Sequence, residues 1–163
     1  MATIRPFKGF RPTPELCSKV AALPYDVMTS KEAREMVKND PYSFLHVDRA
    51  EIDLPENVDI YSKEVYEKAA SNLNKMIEDK VLIQDSKPVF YIYSLTMNGR
   101  EQIGLVVCTS IDEYLNNTIK KHEFTRADKE QDRINHVDYC NANTGPIFLT
   151  YKNQKTIDQI ISK

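Results

Sequence analysis

The sequence predicts an α+β fold in which a sheet that contains an antiparallel hairpin is flanked by several helices. The first observation is a pair of β-rich runs, residues 89–97 and 102–109, with Asn98-Gly99 between them, a pair favoured in type I′ turns. The second is a set of stretches with apolar residues at helical spacing. The chain has 163 residues, enough to bury one core, and we expect a single domain or a fragment of a longer chain.

The first part of the chain, residues 1–58, is predicted to be a Pro-rich segment with short helices. Pro6 keeps the first extended run out of a sheet centre, and Pro12 with Pro14 favours a helix start. Thr29 or Ser30 is a suitable helix cap. The predicted elements are, in order, an extended segment over 3–10, a helix over 15–22, a rigid extended link over 24–27, a helix over 31–38, a buried strand over 43–47 and a polar loop over 48–58.

The second part, residues 59–163, is predicted to contain a long helix, the hairpin, a polar helix and a strand. Apolar residues at helical spacing, among them Val65, Ala69 and Leu73, indicate one buried face of the long helix. The predicted elements are a helix over 60–79, the hairpin, a helix over 127–139, a strand over 146–151 and an amphipathic helix from 155. Because no glycine or proline closes the last helix, we interpret the chain as the N-terminal part of a longer protein.

Composition and charge exclude several classes of function. No two of the four glycines lie within four residues of each other, which excludes a Walker-type phosphate loop and a dinucleotide fingerprint. The formal net charge of −2 argues against non-specific nucleic-acid binding. No apolar run approaches the roughly 18 residues of a membrane span, and no signal peptide is visible. Three cysteines without a CxxC pair fit a reducing compartment, so we expect a cytoplasmic protein with no membrane partner.

The densest polar stretch, residues 119–138, is the first candidate site. Lys121, His122 and Glu123 precede a predicted helix start for which Thr125 is a candidate cap. The free N–H groups and the dipole at a helix start attract anions. This segment therefore predicts a binding site for a phosphate or a carboxylate.

Basic residues within the predicted helix support the same site. Arg126 and Arg133 are seven residues apart and share a helix face, with Lys129 near it. The same residues also fit a solvated surface on which Glu130 pairs with both arginines at i,i+4 and i,i+3 spacing. Both interpretations are open from the residues alone.

His136 and Cys140 are spaced to share a helix face, as zinc ligands often do. Because no second pair completes a tetrahedral site, we expect no metal there and interpret Cys140 as a small buried hydrophobe. His46 lies within an apolar run and is interpreted as a core histidine whose hydrogen bonds are satisfied.

Two further segments carry candidate ligand-binding groups. Asn141, Asn143 and Thr144 are suited to orienting hydroxyl or amino groups of a ligand, although the same types are common in a turn. Asp26 follows a prolyl link that would hold its carboxylate as a base or an orienting group. It is equally suited to a turn or a helix cap.

Several motifs together resemble a prokaryotic family of unknown function, the domain-of-unknown-function family numbered one thousand and fifteen. The resemblance spans nearly the whole chain in order. The motifs are Arg-Pro-Phe-Lys-Gly at 5–9, Pro-Tyr-Asp-Val at 24–27, Asn-Asp-Pro-Tyr-Ser-Phe-Leu at 39–45, Glu-Ile-Asp-Leu-Pro at 51–55, Lys-His-Glu at 121–123 with Thr-Arg at 125–126, Asp-Arg-Ile at 132–134 and Asn-Ala-Asn-Thr-Gly-Pro at 141–146.

The resemblance implies a fold related to the ParB/sulfiredoxin type and kinship with kinases that phosphorylate free serine. Members of the family are usually much longer and carry a later Asp-Gly-His-His-Arg box, which is absent here, so this fragment lacks part of the family's pattern. The implied function is small-molecule phosphotransfer from ATP or ADP with Mg²⁺ to serine or a similar hydroxyl metabolite. The rival classes are a non-catalytic ligand-binding or regulatory module and a ParB-like nucleic-acid-binding domain.

The phosphotransfer interpretation distributes roles among the candidate residues. They are Lys121, His122, Arg126 and Arg133 as phosphate contacts, Glu123 or Asp26 as the base for the hydroxyl, and Asn141, Asn143 and Thr144 as groups that orient substrate or nucleotide. Catalytic work would then fall to Glu123, His122 and Asp26.

Overall fold

The structure, a computed structural model, describes residues 2–121 and 125–161 and confirms the α+β class. Within these residues there are seven helices and three two-stranded antiparallel sheets, with strand orders β1-β6, β2-β3 and β4-β5. The elements are β1 (Ile4–Arg5), β2 (Phe10–Pro12), α1 (Cys17–Val20), α2 (Ser30–Val37), α3 (Leu45–Asp48), α4 (Lys63–Glu78), β3 (Leu82–Gln84), β4 (Tyr91–Met97), β5 (Arg100–Val106), β6 (Cys108–Thr109), α5 (Ile111–Leu115), α6 (Ala127–Cys140) and α7 (Lys155–Ile161).

Packing divides the described residues into two compact units. Unit 1 comprises residues 2–8, 86–121 and 145–161, and unit 2 comprises residues 9–85 and 125–144. No helix of the described residues is long and apolar enough to cross a membrane.

The main core of unit 2 forms around the amphipathic helix α4, which packs against α3 and α6. The buried residues of this core are Val20, Val47, Ala50, Val65, Ala69, Leu73, Met76, Val81, Leu82 and Cys140. The predicted spacing of Val65, Ala69 and Leu73 is therefore confirmed as the buried face of α4. The apolar run that follows α4 enters β3, which pairs with β2.

Helix α2 begins where the sequence predicted, at a capping box. The Thr29 side chain accepts a hydrogen bond from the backbone N–H of Glu32, and the Glu32 carboxylate accepts one from the backbone N–H of Thr29. Ala33 and Val37 are buried in a small apolar cluster with Leu45 and Ile52, whereas Met36 is exposed.

Two predicted elements of the first part of the chain are wrong. The segment 43–47, expected to be a buried strand, instead leads into the one-turn helix α3. Its backbone groups bond locally, from Asp48 N to Phe44 O at 3.1 Å and from Arg49 N to Leu45 O at 2.8 Å. A short apolar run is compatible with either a strand or a buried helix, and no strand of the described residues pairs with this one.

The predicted extended link at 24–27 forms a turn of 3-10 helix over Tyr25–Val27. The polar loop predicted over 48–58 contains a second 3-10 turn, Ala50–Asp53, in which Ala50, Glu51 and Ile52 are buried. These two turns contribute walls of the cleft described below.

The hairpin of unit 1 and its type I′ turn are confirmed, but residues 108 and 109 of the predicted second strand pair with β1 instead. Met97 pairs with Arg100 across a two-residue loop, and both loop residues have positive φ, 53° at Asn98 and 77° at Gly99. This is the type I′ conformation that Asn-Gly favours.

The strand predicted over 146–151 does not form, although helix α7 after it does. Ile147 and Phe148 are 73% and 77% exposed, and no described strand pairs with the segment. Because β propensity mainly reflects packing against a neighbouring strand, an apolar run without a partner stays irregular.

Candidate functional site

A polar cleft in unit 2 is the candidate site. It has an empty volume of about 460 Å³, its open mouth included. Its walls come from both 3-10 turns, the end of α3, and helices α4 and α6. The polar and aromatic lining residues are Tyr25, Asp48, Arg49, Glu51, Tyr61, Tyr66, Lys129, Asp132, Arg133 and His136. A second groove of unit 2 is lined mainly by apolar side chains, with Asp40 and Ser43 as its polar members.

Helix α6 supplies Lys129, Asp132, Arg133 and His136 to the cleft lining. Lys129, Arg133, His136 and Cys140 follow one another at spacings of three or four residues, which places them on one side of a helix. The helix ends at Asn141, whose left-handed conformation (φ 47°, ψ 35°) is typical of an asparagine that stops a helix.

Arg133 is held in place from two sides. Its guanidinium carbon lies 4.5 Å from the ring centroid of Tyr25. Its Nη2 donates to Asp132 Oδ2 at 2.9 Å, and Asp132 Oδ1 in turn accepts a hydrogen bond from the Tyr66 hydroxyl at 2.9 Å. The Arg133 side chain keeps 33% of its surface exposed, so a fixed guanidinium remains accessible from the cleft.

Lys129 and Arg49 add two further positive charges to the cleft. Lys129 Nζ donates to the Tyr61 hydroxyl at 2.7 Å, and this bond raises the pKa of the lysine. Arg49 Nη1 donates to the Tyr25 carbonyl at 3.2 Å and Nη2 to Ser30 Oγ at 2.9 Å. Both cations are therefore oriented by neutral oxygens.

The buried carboxylate of Glu51 balances the positive charge of Arg49. Glu51 is 7% exposed, and its Oε1 accepts a hydrogen bond from Ser30 Oγ at 2.8 Å. Arg49 Nε lies 2.9 Å from the same oxygen as an ion pair, although its N–H is not aligned for a hydrogen bond. Arg34 donates to the backbone carbonyls of Glu51 and Ile52 and so secures the 3-10 turn that carries this carboxylate.

Asp48, the last residue of α3, has a carboxyl group in an unusual environment. Its Oδ1 is buried and accepts no hydrogen bond from the described residues. Burial raises the pKa of Asp48, and this effect outweighs the opposing influence of the Thr144 hydroxyl and of the charges of His136 and Arg133. The Thr144 hydroxyl and the charges of His136 and Arg133 thus offset only part of the cost of burying the Asp48 carboxylate.

The buried His136 lies between the backbone of α3 and the Thr144 hydroxyl. Its Nε2 is 3.0 Å from the carbonyl oxygen of Val47, which accepts, so that nitrogen carries the proton. Nδ1 then faces Thr144 Oγ1 at 3.4 Å. Thr144 therefore lies between the imidazole and the Asp48 carboxyl.

Cys140 is buried in the core next to His136, with its Sγ 4.0 Å from His136 Nε2. Burial, together with the negative charge of Asp48, raises the pKa of the Cys140 thiol to about 11. A protonated, buried thiol packs as a small apolar group. Within residues 2–121 and 125–161, no three His, Cys, Asp or Glu side chains are grouped so that they could hold a metal ion.

Of the residues predicted from sequence, Arg133 lines the cleft and Thr144 lies against its wall. Arg126 precedes α6, is 75% exposed, and pairs with Asp128 at 2.7 Å. The carboxylates that pair with Arg126 and Arg133 are thus Asp128 and Asp132, where the alternative interpretation expected Glu130.

The remaining predicted residues lie outside the cleft lining. Asn141 and Asn143 are exposed after α6, and Asp26 is exposed in its 3-10 turn. Lys121 belongs to unit 1, where its Nζ lies 4.6 Å from the ring centroid of Tyr114. His122 and Glu123 lie outside the described residues. Their assigned roles stay predictions.

Sequence reasoning missed Asp48, Arg49 and Tyr25 as parts of one site. Asp48 and Arg49 lie at the start of the predicted loop, directly after the predicted strand. No periodicity in the sequence relates them to residues 129–136, which are 80 or more positions away. His136 carried a visible signal, since it shares a helix face with Arg133, but it was considered only as a metal ligand.

Comparisons with known proteins add the family level. Residues 4–163 match the family described as "Protein of unknown function (DUF1015)". No curated protein and no solved structure gives a significant match.

Proposed function

We propose that this chain, which belongs to the DUF1015 family, takes part in small-molecule phosphotransfer. The reaction moves a phosphoryl group from ATP or ADP, accompanied by Mg²⁺, to the hydroxyl of serine or a similar metabolite. The observation that carries the proposal is the convergence of Arg49, Lys129 and Arg133 on one cleft that also contains the Asp48 carboxyl.

Phosphoryl transfer requires positioning and charge neutralisation more than covalent work by the protein. Arg133 suits this task because its planar guanidinium matches phosphate oxygens and is already oriented by Tyr25 and Asp132. Lys129 adds a solvent-exposed charge that the Tyr61 hydroxyl orients. Both would bind a phosphate that enters from the open side of the cleft.

In this proposal a magnesium ion arrives with the nucleotide and is not held in a cage built by the protein. Mg²⁺ usually keeps several waters and binds substrate phosphates together with one or two carboxylates. Asp48, Glu51 and Asp132 are the carboxylates of the cleft, and the last two already pair with Arg49 and Arg133. When bound, the ion would neutralise phosphate charge, while the arginines and Lys129 orient the phosphate.

The other predicted roles remain part of the proposal. They are Lys121, His122 and Arg126 as further phosphate contacts, Glu123 or Asp26 as the base, and Asn141, Asn143 and Thr144 as orienting groups. Thr144 gains support from its place between His136 and Asp48.

The test is a phosphotransfer assay on the protein at its natural length. It is incubated with ATP or ADP, MgCl₂ and L-serine or other small hydroxyl compounds, and the phosphorylated product is quantified by mass spectrometry. We expect Arg133→Met and Lys129→Met to lower the rate about 100-fold, as the loss of a group that stabilises transition-state charge does. Lys63→Met is the matched control, since Lys63 is exposed on α4 and pairs only with Glu67 among the described residues.

The outcomes separate the rival classes. Nucleotide or phosphate binding by calorimetry without any product supports a non-catalytic ligand-binding module and contradicts phosphotransfer. Binding to double-stranded DNA that weakens steeply with salt supports a nucleic-acid-binding domain instead. No product and no nucleotide binding refutes the phosphotransfer proposal.

A further inference from the structure

The 3-10 turn Tyr25–Val27 contacts two arginines of the cleft in different ways. Arg49 Nη1 donates to the Tyr25 carbonyl at 3.2 Å, and the guanidinium carbon of Arg133 lies over the Tyr25 ring. The side chains of Leu23 and Val27, on either side of Tyr25, are 55% and 64% exposed. The exposed segment is thus anchored at Tyr25, by one contact of its backbone and one of its ring.

Every nitrogen of the Arg49 guanidinium already faces an oxygen of the protein. Nη1 and Nη2 donate to the Tyr25 carbonyl and to Ser30 Oγ, and Nε lies 2.9 Å from the Glu51 carboxylate. The Arg49 side chain is only 16% exposed, and Glu51 balances its charge. Arg49 therefore has little to offer an incoming anion directly, but it fixes the backbone of Tyr25.

Arg133 is the accessible arginine of the pair. Its Nε and Nη2 donate to Asp132 Oδ2 at 3.2 and 2.9 Å, so the carboxylate restrains one edge of the guanidinium. The Tyr25 ring covers one face and restrains the group from a direction that Asp132 does not cover. None of the described residues accepts a hydrogen bond from Nη1, so this nitrogen keeps its donors for an anion in the cleft.

We propose that Arg49 and Tyr25 form a positioning relay for Arg133. Arg49 fixes the backbone of Tyr25, and the Tyr25 ring holds the Arg133 guanidinium in the orientation in which it binds an oxyanion. The inference rests on the proposed function in that Arg133 is a phosphate contact of the same cleft. Both relay residues act by ordering the Arg133 side chain before the ligand arrives, which lowers the entropy cost of binding.

The first measurement needs no ligand. An aromatic ring shifts the NMR signals of protons that lie over its face, so the Arg133 side-chain signals, assigned by their loss in Arg133→Met, report the contact with Tyr25. We expect the shift to disappear in Tyr25→Leu, to shrink in Arg49→Lys, and to persist in Tyr25→Phe, which keeps the ring. Arg133 signals that stay unchanged in Tyr25→Leu or in Arg49→Lys overturn the inference.

Calorimetric titration with inorganic pyrophosphate measures the effect on binding. We expect Tyr25→Leu to weaken binding about 3- to 10-fold, the range that corresponds to immobilising one long side chain. Tyr25→Phe should recover the affinity to within about 2-fold of wild type. Tyr93→Leu and Arg100→Lys are the matched controls, because both residues are exposed on the hairpin of unit 1, and they should bind pyrophosphate as wild type does.

A double-mutant cycle separates the relay from a general structural role. Arg49→Lys alone should weaken pyrophosphate binding about 3- to 10-fold, but it should add less than about 2-fold in the Tyr25→Leu background, because Arg49 acts through the ring. An equal loss in both backgrounds would mean that Arg49 acts independently of Tyr25, and it overturns the inference. Equal affinities of wild type and Tyr25→Leu overturn it as well, as does an absence of pyrophosphate binding in wild type.

The results also separate this inference from the proposed function. If pyrophosphate binding depends on the Tyr25 ring and on Arg133 but no phosphotransfer occurs, the relay stands and phosphotransfer fails. If phosphotransfer depends on Arg133 but not on the Tyr25 ring, phosphotransfer stands and the relay fails.

Discussion

Replacing Asp48 by Asn changes the stability of the fold in a direction that depends on pH. Asn keeps the size of the side chain and removes its ionisable group. In the native protein the carboxyl is buried with one oxygen unpaired, and burial raises its pKa above the ordinary value of 3.8. The ionised form is therefore less favourable in the folded chain than in the unfolded chain.

The raised pKa determines how the stability of wild type changes with pH. Below pH 3.8 the carboxyl is protonated in both the folded and the unfolded chain, so the charge costs nothing. As the pH rises through the ordinary value and then through the folded-state pKa, the unfolded chain releases the proton first and wild type loses stability. We expect Asp48→Asn to be more stable than wild type at pH 7 by about 1 kcal/mol, because the substitution removes a charge that burial disfavours, while the amide keeps the polar atoms of the side chain.

Urea unfolding followed by circular dichroism at pH 7 and at pH 3 measures this difference. A gain of about 1 kcal/mol corresponds to a rise in melting temperature of about 2–4 °C for a chain of this size. Asp138→Asn serves as the control, because it removes an exposed carboxylate from α6. It should change stability by less than about 0.5 kcal/mol at either pH.

The reasoning is refuted if Asp48→Asn is destabilised at pH 7, or if its advantage over wild type is the same at pH 3. Either result would mean that the hydroxyl of Thr144 and the charges of Arg133 and His136 compensate the carboxylate fully.

Two further predictions concern the polar contacts around the cleft. The hydrogen bond to Asp53 raises the pKa of His46 above 6.5, so its stabilising effect is complete below pH 6.5 and is lost as the pH rises through the folded-state value. His46→Gln should therefore cost about 0.5–1 kcal/mol at pH 5.5 and less at pH 8.5 in urea unfolding, and a pH-independent difference would contradict this. Tyr66→Phe removes the bond to Asp132 and should destabilise by about 1–2 kcal/mol in the same assay; an unchanged urea midpoint would show that the bond contributes nothing.

Elements specified by local chemistry were predictable from sequence. Asn98-Gly99 supplies two residues that accept positive φ, which sets both the turn type and the register of the hairpin. Thr29 and Glu32 form a cap within four residues of each other. In these cases, the residues that interact are neighbours in the chain, so their types suffice.

Elements that depend on a partner were not predictable. The run at 43–47 is equally suited to a strand or a buried helix. Its neighbours in unit 2 are helices and turns, so its backbone N–H and C=O groups find partners only within a helical turn. The run at 146–151 has the composition of a strand, but no strand in the described part of the chain pairs with it.

The candidate site also has some features that follow from local sequence and others that depend on tertiary packing. The sequence by itself determined the hairpin, the cap of α2 and the placement of Lys129 and Arg133 near one face of α6, because helical spacing alone aligns these residues. Only the tertiary structure brought Asp48 to that face, since packing of α3 and α6 on α4 joins positions more than 80 residues apart. The balance of burial and charge at Asp48 exists only in the folded chain.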